Sequence, residues 1–180
     1  MNKIMPQNLK APLLFSLILG FLATQAISIS NKKTLDLIEQ TCRQSGFFAL
    51  CDSTLRSNPQ SSNANLEGLA KISVKIVIDK ANATLNFIVD LFKNVSDPVL
   101  YRSYGTCIDS YDASVERLLP KAIAALSSKD YATSRHDAAT VAINVNACDK
   151  QFSEKTPFSD RNRLVHDLSL MSAGIIELLG

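Results

Sequence analysis

Glycine and proline are scarce in this chain, six of each among 180 residues, and histidine occurs only twice. With no Gly-rich stretch anywhere, a backbone cradle for phosphates of the P-loop or dinucleotide type is excluded. No run alternates apolar and polar residues in the manner of a strand, so a sheet-built fold is not expected. His136 and His166 stand in no metal spacing such as His-Glu-x-x-His, and the cysteines are too far apart for a Cys-x-x-Cys zinc site. Ser134, Ser159 and Ser169 lack the Gly-x-Ser-x-Gly elbow of a nucleophile. Asp109, Asp112 and Glu116 sit on adjacent turns of a helical pattern, which is the spacing of a solvated face rather than of a catalytic acid pair. The reading is of a protein that is not an enzyme and takes no cofactor or metal.

A long apolar run is also missing beyond the amino terminus. Lys3 and Lys10 precede a 13-residue apolar stretch from Ala11 to Ala23, and Thr24-Gln25-Ala26 places small residues where a signal peptidase reads them. The stretch is short for a bilayer span of about 20 residues. Residues 1–26 therefore read as a signal peptide, and 27–180 as a single mature domain. Removing Lys3 and Lys10 from 19 basic residues leaves 17, against 17 acidic ones. That balance gives no electrostatic footprint for nucleic acid or an anionic membrane, so a partner must be read by shape and local polarity.

What is present is helical periodicity. Leu66, Leu69, Ala70, Val74, Val77, Ala81, Leu85, Ile88 and Leu91 recur at helix spacing, up to the break at Asn94-Val95-Ser96-Asp97-Pro98. Asp97 reads as an N-cap with Pro98 in the first turn. The next stripe runs from Leu100 through Tyr104, Cys107, Tyr111, Val115, Leu119 and Ala122 to Leu126, and Pro120 within it predicts a kink or short break. A third helix starts near Asp130 and carries Ala138, Val141, Val145 and Cys148. A fourth, with a capped start at Ser159, carries Leu164, Leu168, Met171, Ile175 and Leu178 at heptad-like spacing. The expected fold is all-α: an up-down-up-down four-helix bundle over 65–179, preceded by a helical hairpin over 33–57. Leu35, Ile38, Phe47, Phe48, Leu50 and Leu55 would bury that hairpin on the bundle or on a second molecule, and residues 58–63 read as the hinge.

The four cysteines behind a signal peptide favour disulfides over free thiols. Cys42 and Cys51 flank Gly46-Phe47, and Cys107 and Cys148 lie at nearly equal distances either side of Ser127-Ser128. If both segments are antiparallel hairpins, this favours Cys42–Cys51 and Cys107–Cys148 over the other two possible pairings. By loop entropy the two links would contribute roughly 2.5 and 4 kcal/mol. Asn82-Ala83-Thr84 and Asn94-Val95-Ser96 are acceptor triplets for N-linked glycan. Tyr101, Tyr104 and Tyr111, on or beside the second stripe, read as core packing, with a ligand cavity between helices as the rival.

Thr41-Cys42, Cys51, Tyr104-Gly105-Thr106-Cys107 with Tyr111-Asp112-Ala113, Leu126-Ser127-Ser128-Lys129-Asp130-Tyr131, Cys148 with Phe152, and the closing Leu178-Leu179 together resemble the plant inhibitors of acid invertase and of pectin methylesterase. The resemblance covers the whole mature chain and lies nearest the pollen-allergen-like branch of invertase-inhibitor relatives. It implies the hairpin-plus-bundle fold, the same two disulfides, secretion to the apoplast or delivery to the vacuole, and a one-to-one complex that covers the active-site cleft of a carbohydrate-processing enzyme. Invertase-blocking members resemble one another in a Pro-Lys-Phe motif just after the turn that follows Ser127-Ser128, where this chain has Tyr131-Ala132-Thr133. Pectin methylesterase inhibitors more often carry Lys-Asp-Tyr there, as Lys129-Asp130-Tyr131 does. They also place Thr and Asp before the last cysteine, where Ile143, Asn144 and Asn146 stand here. Pectin methylesterase is thus the expected target, with acid invertase as the alternative and a small-ligand carrier as the rival class. Lys129, Asp130, Tyr131, Thr133 and His136 are the expected contacts.

Overall fold

The computed structural model describes residues 37–180, and every regular element within them is helical. The signal-peptide reading and Leu35 lie outside the described residues. Helix α1 (37–44) and α2 (Phe48–Ser57) form the hairpin. The bundle comprises α3 (Leu66–Phe92), a rod made of α4 (Pro98–Asp112), a π-helical stretch (Ala113–Leu118) and α5 (Leu119–Ser127), then α6 (Tyr131–Asp149) and α7 (Ser159–Glu177). Each bundle helix packs on its neighbours in a closed ring: α3 on the rod, the rod on α6, α6 on α7, and α7 back on α3. The core is a single cluster running from Ile38 in the hairpin to Ile176 in α7.

Local chemistry explains most boundaries. Asn65 caps α3 by accepting from the Gly68 N–H at 2.8 Å. Asp97 accepts from the Val99 and Leu100 N–H groups at 2.9 and 2.8 Å, and Pro98 fills the position where its missing donor is harmless. Pro120 does not break the rod. It sits in the first turn of α5, immediately after the π-helical stretch, where the Leu119 N–H reaches back five residues to the Ser114 carbonyl. The wider turn absorbs the register change that a missing proline donor forces on an α-helix.

Three boundary details depart from the sequence reading. Ser159 is the first residue of α7 rather than its cap; its Oγ accepts from the Thr156 N–H at 2.8 Å and so closes the preceding loop. Leu164 is 37 % exposed, and the buried stripe of α7 runs through Val165, Leu168, Met171, Ile175 and Ile176. Residues 58–63 form an ordered 3-10 turn (Pro59–Asn63) rather than a hinge, capped by Asn58 onto the Gln60 N–H at 2.9 Å, with Ser61 buried.

The hairpin lies on its own bundle. Ile38, Cys42, Cys51 and Leu55 are sealed in the core, and the turn passes through Gly46 at φ 79°, a region that glycine enters freely. Gly174 in α7 lets the turn approach: a Cβ there would lie 2.7 Å from the Ser45 carbonyl oxygen. The two disulfides join Cys42 to Cys51 across the hairpin and Cys107 to Cys148 across α4 and α6, with Cα separations of 5.4 and 4.5 Å.

Candidate docking surface

The α5–α6 turn is built as a Schellman motif. The Asp130 N–H donates to the Ala125 carbonyl at 2.9 Å and the Lys129 N–H to the Leu126 carbonyl at 3.2 Å. That motif needs one left-handed residue, and the position is taken by Lys129 at φ 62°. Glycine would sit there without strain, whereas a side chain pays roughly 1–2 kcal/mol. Asp130 then caps α6, accepting from the Thr133 N–H at 3.1 Å. The Thr133 hydroxyl and backbone N–H together hold the Asp130 carboxyl below the usual aspartate range.

Further bonds fix the first turns of α6 to their neighbours. The Ser134 hydroxyl, fully buried, donates to the Ala122 carbonyl at 2.9 Å. Asp137, 2 % exposed, lies 3.3 Å from the Lys121 ammonium on α5. Arg135 meets Glu177 of α7 at 2.8 Å. The Glu67 carboxyl in the first turn of α3, bonded to Lys71 at 2.7 Å, is held below its usual value chiefly by that lysine. A surface ordered in advance loses little entropy on binding.

Of the expected contacts, Lys129, Asp130 and His136 are exposed. Tyr131 and Thr133 are half-buried; Tyr131 packs against the core and Thr133 is committed to Asp130. On α6, seven residues beyond His136 and so on the same face, Ile143 is 66 % exposed. Asn146 is exposed as well. Asn144 points elsewhere: its Nδ2 donates to Ser114 Oγ at 3.1 Å and toward the Ser110 carbonyl, tying α6 to the start of the π-helical stretch.

The three tyrosines differ. Tyr111 is 1 % exposed and donates to Asn162 Oδ1 at 2.7 Å; Asn162 in turn donates to Asp149, joining α4, α7 and α6 beside the Cys107–Cys148 link. Burial first, then the Asp149 charge, pushes the Tyr111 phenol well above its ordinary value, so it stays a donor. Tyr104 packs in an aromatic cluster with Phe92, Phe152 and Phe158, and Tyr101 lies exposed over Phe92. The depressions beside these helices are surface grooves open to solvent; one of about 370 Å³ touches Tyr104, and one of about 620 Å³ lies between Phe48 and Leu164. Among the described residues no group of His, Cys, Asp and Glu side chains is placed to hold a metal ion, and no helix is long and apolar enough to cross a membrane.

Asp137, Asn162 and Gly174 were not singled out from the sequence. An Asp between His136 and Ala138 on α6 is a weak signal, and nothing near Asn162 in the sequence announces partners that come from residues 111 and 149. The two acceptor asparagines are placed differently, Asn82 within α3 and Asn94 in the turn after it.

The described residues form a disulfide-linked helical bundle with a fixed polar turn between α5 and α6. Residues 36–175 match the family described as plant invertase/pectin methylesterase inhibitor, and the chain belongs to that family, whose members are enzyme inhibitors and not enzymes. It is 28 % identical over 155 residues to a Platanus orientalis protein named "Putative invertase inhibitor", covering 81 % of this chain and 91 % of that one. It is 28 % identical over 136 residues to the pectinesterase inhibitor of Actinidia deliciosa, covering 76 % and 73 %. In fold it is similar to a mutant form of an Arabidopsis pectin methylesterase inhibitor, with a TM-score of 0.67 at 20 % identity over 77 % of this chain and 94 % of that one.

Proposed function

We propose that this chain is secreted and inhibits a plant cell-wall pectin methylesterase in a one-to-one complex, by obstruction of the cleft rather than by reaction. The observation that carries the reading is the α5–α6 turn, in which Lys129 is held exposed in a left-handed conformation and Asp130 is locked as the α6 cap. Lys129 and Asp130, with His136 and Ile143 along α6, form the contact surface. An interface of roughly 1,600 Å² is the ordinary size for such a complex. The enzyme's polymer substrate would be excluded from the cleft once this end of the bundle is seated.

Acid invertase is the second reading, favoured by the names of the Platanus relative and of the two Arabidopsis cell wall/vacuolar inhibitors of fructosidase. The oxidised mature protein, titrated into pectin methylesterase and acid invertase across acidic to neutral pH, separates the two. Stoichiometric loss of esterase activity with co-elution on gel filtration is the expected result. Loss of invertase activity alone transfers the assignment, and both enzymes unaffected defeats the inhibitor reading. Saturable uptake of an apolar probe by the free protein would then point to the carrier class, for which the open grooves offer little enclosure.

A further inference from the structure

The two Asn-x-Ser/Thr triplets are equivalent in sequence and unlike in space. Asn82 lies well inside α3, half-buried, with its Nδ2 donating to the Ile78 carbonyl at 3.0 Å. Its partner hydroxyl on Thr84 is 2 % exposed and bonds the Lys80 carbonyl at 2.8 Å. Residues two apart on an α-helix point about 200° from each other, so amide and hydroxyl cannot face one acceptor site together. Asn94 lies past the end of α3 in a turn held by its own N–H to the Leu91 carbonyl at 3.1 Å and by Val95 N–H to the Phe92 carbonyl at 3.0 Å. Asn94 and Ser96 are both exposed, and no hydrogen bond among the described residues occupies the Asn94 side chain. Two residues before it stands Phe92, whose ring meets that of Tyr101 at 4.5 Å between centroids. Tyr101 leaves 54 % of its surface open.

We propose that Asn94, and not Asn82, carries an N-linked glycan whose first sugar packs its apolar C–H face on the Phe92–Tyr101 ring pair. The inference rests on the secretory reading of residues 1–26. In the transfer, the Asn94 amide nitrogen bonds to C1 of the first sugar of a polyprenyl-diphosphate-linked oligosaccharide. The C1–O bond to the diphosphate breaks, the lipid diphosphate leaves with the electron pair, and the nitrogen gives up one proton. The open ring of Tyr101, backed by the half-buried Phe92, offers the sugar an apolar platform at the turn. Because α3 spans about 40 Å and the rod packed along it starts at Pro98, just past Asn94, and ends at Ser127, the glycan sits at the end of the bundle away from the α5–α6 turn and leaves it open for docking.

The test expresses residues 27–180 behind a heterologous secretory leader in plant cells, beside the chain with its own leader. Protein recovered from the medium is treated with an N-glycan-releasing amidase in heavy-oxygen water and mapped by mass spectrometry. Label at position 94 and none at position 82 is the expected result, with Asn94→Gln losing one glycan's mass on a gel and Asn82→Gln losing none. Secreted protein without label at 94, or with label at 82, overturns the assignment. The glycosylated protein should also melt several degrees above its enzymatically deglycosylated form, and Tyr101→Ser should shrink that gap; an equal gap overturns the packing of sugar on the rings. Retention of the native-leader chain inside the cell without label at 94, beside label at 94 in the leader-swapped chain, would sink the secretion reading and with it the assignment for this chain, while showing the Asn94 turn itself to be a competent acceptor.

Discussion

Tyr111 in α4 donates its phenolic hydrogen to the side-chain oxygen of Asn162 in α7 at 2.7 Å, with both residues sealed from solvent. Tyr111→Phe keeps the ring and strands the amide oxygen. The expected loss is about 1–3 kcal/mol, the desolvation penalty of a buried acceptor left without a donor. Urea unfolding measures it, and a midpoint unchanged from the parent would show that the bond contributes nothing.

Gly174 marks the place where the hairpin turn meets α7. Gly174→Ala gains helix propensity but drives a methyl group to 2.7 Å from the Ser45 carbonyl oxygen, and the clash is with backbone. Overpacking of this kind costs roughly 1–3 kcal/mol. Amide hydrogen exchange in residues 37–57 should rise while exchange in α4 and α6 stays slow. Uniform protection throughout would mean that the turn moves aside at no cost.

Lys129 combines backbone strain with a place on the proposed contact surface. Lys129→Gly removes the left-handed strain and should raise stability by about 1 kcal/mol. If the α5–α6 turn is the docking surface, the same change should weaken inhibition at least severalfold. A variant that is both more stable and equally inhibitory would remove Lys129 from the interface.

Acid sensitivity should be written in Asp130. Its carboxyl is held below the ordinary aspartate value by Thr133, so the cap contributes stability above the unfolded-state value of about 3.9, and that contribution is lost as pH falls through the lower folded value. Glu67, lowered chiefly by Lys71, follows the same sign. Asp130→Asn keeps a capping oxygen but does not titrate. Its melting temperature should fall less than the parent's between pH 4 and roughly 2; parallel curves would locate the acid transition elsewhere.

The helices were readable because each amphipathic stripe repeats locally, and Asp97 and Asp130 announce caps through residues adjacent in sequence. The heptad spacing puts Leu164 four residues before Leu168, but Val165, three before it, takes the inward position, because α7 packs on both α3 and α6 and its buried arc is wide. Ser159 looked like a cap because serine before a helix usually is one, yet the Thr156 N–H claims its oxygen. The left-handed Lys129 was hidden by its own side chain, since glycine or asparagine is the residue that signals this geometry. Asn162 was invisible for a different reason: its partners come from two other helices, and no local pattern encodes them.

The π-helical turn at Ala113–Leu118 amounts to one surplus residue threaded into an otherwise regular rod. Deleting a single residue there would let the winding return to a regular α-helix with Leu119, Ala122 and Leu126 still turned toward the interior they now fill, whereas a deletion further along the rod would turn everything after it by about 100°. Chain length in the regular winding between the Cys107 link and the α5–α6 turn is therefore fixed by phase as well as by reach, and the π-helical turn is where the rod can give up one residue without losing its inward face.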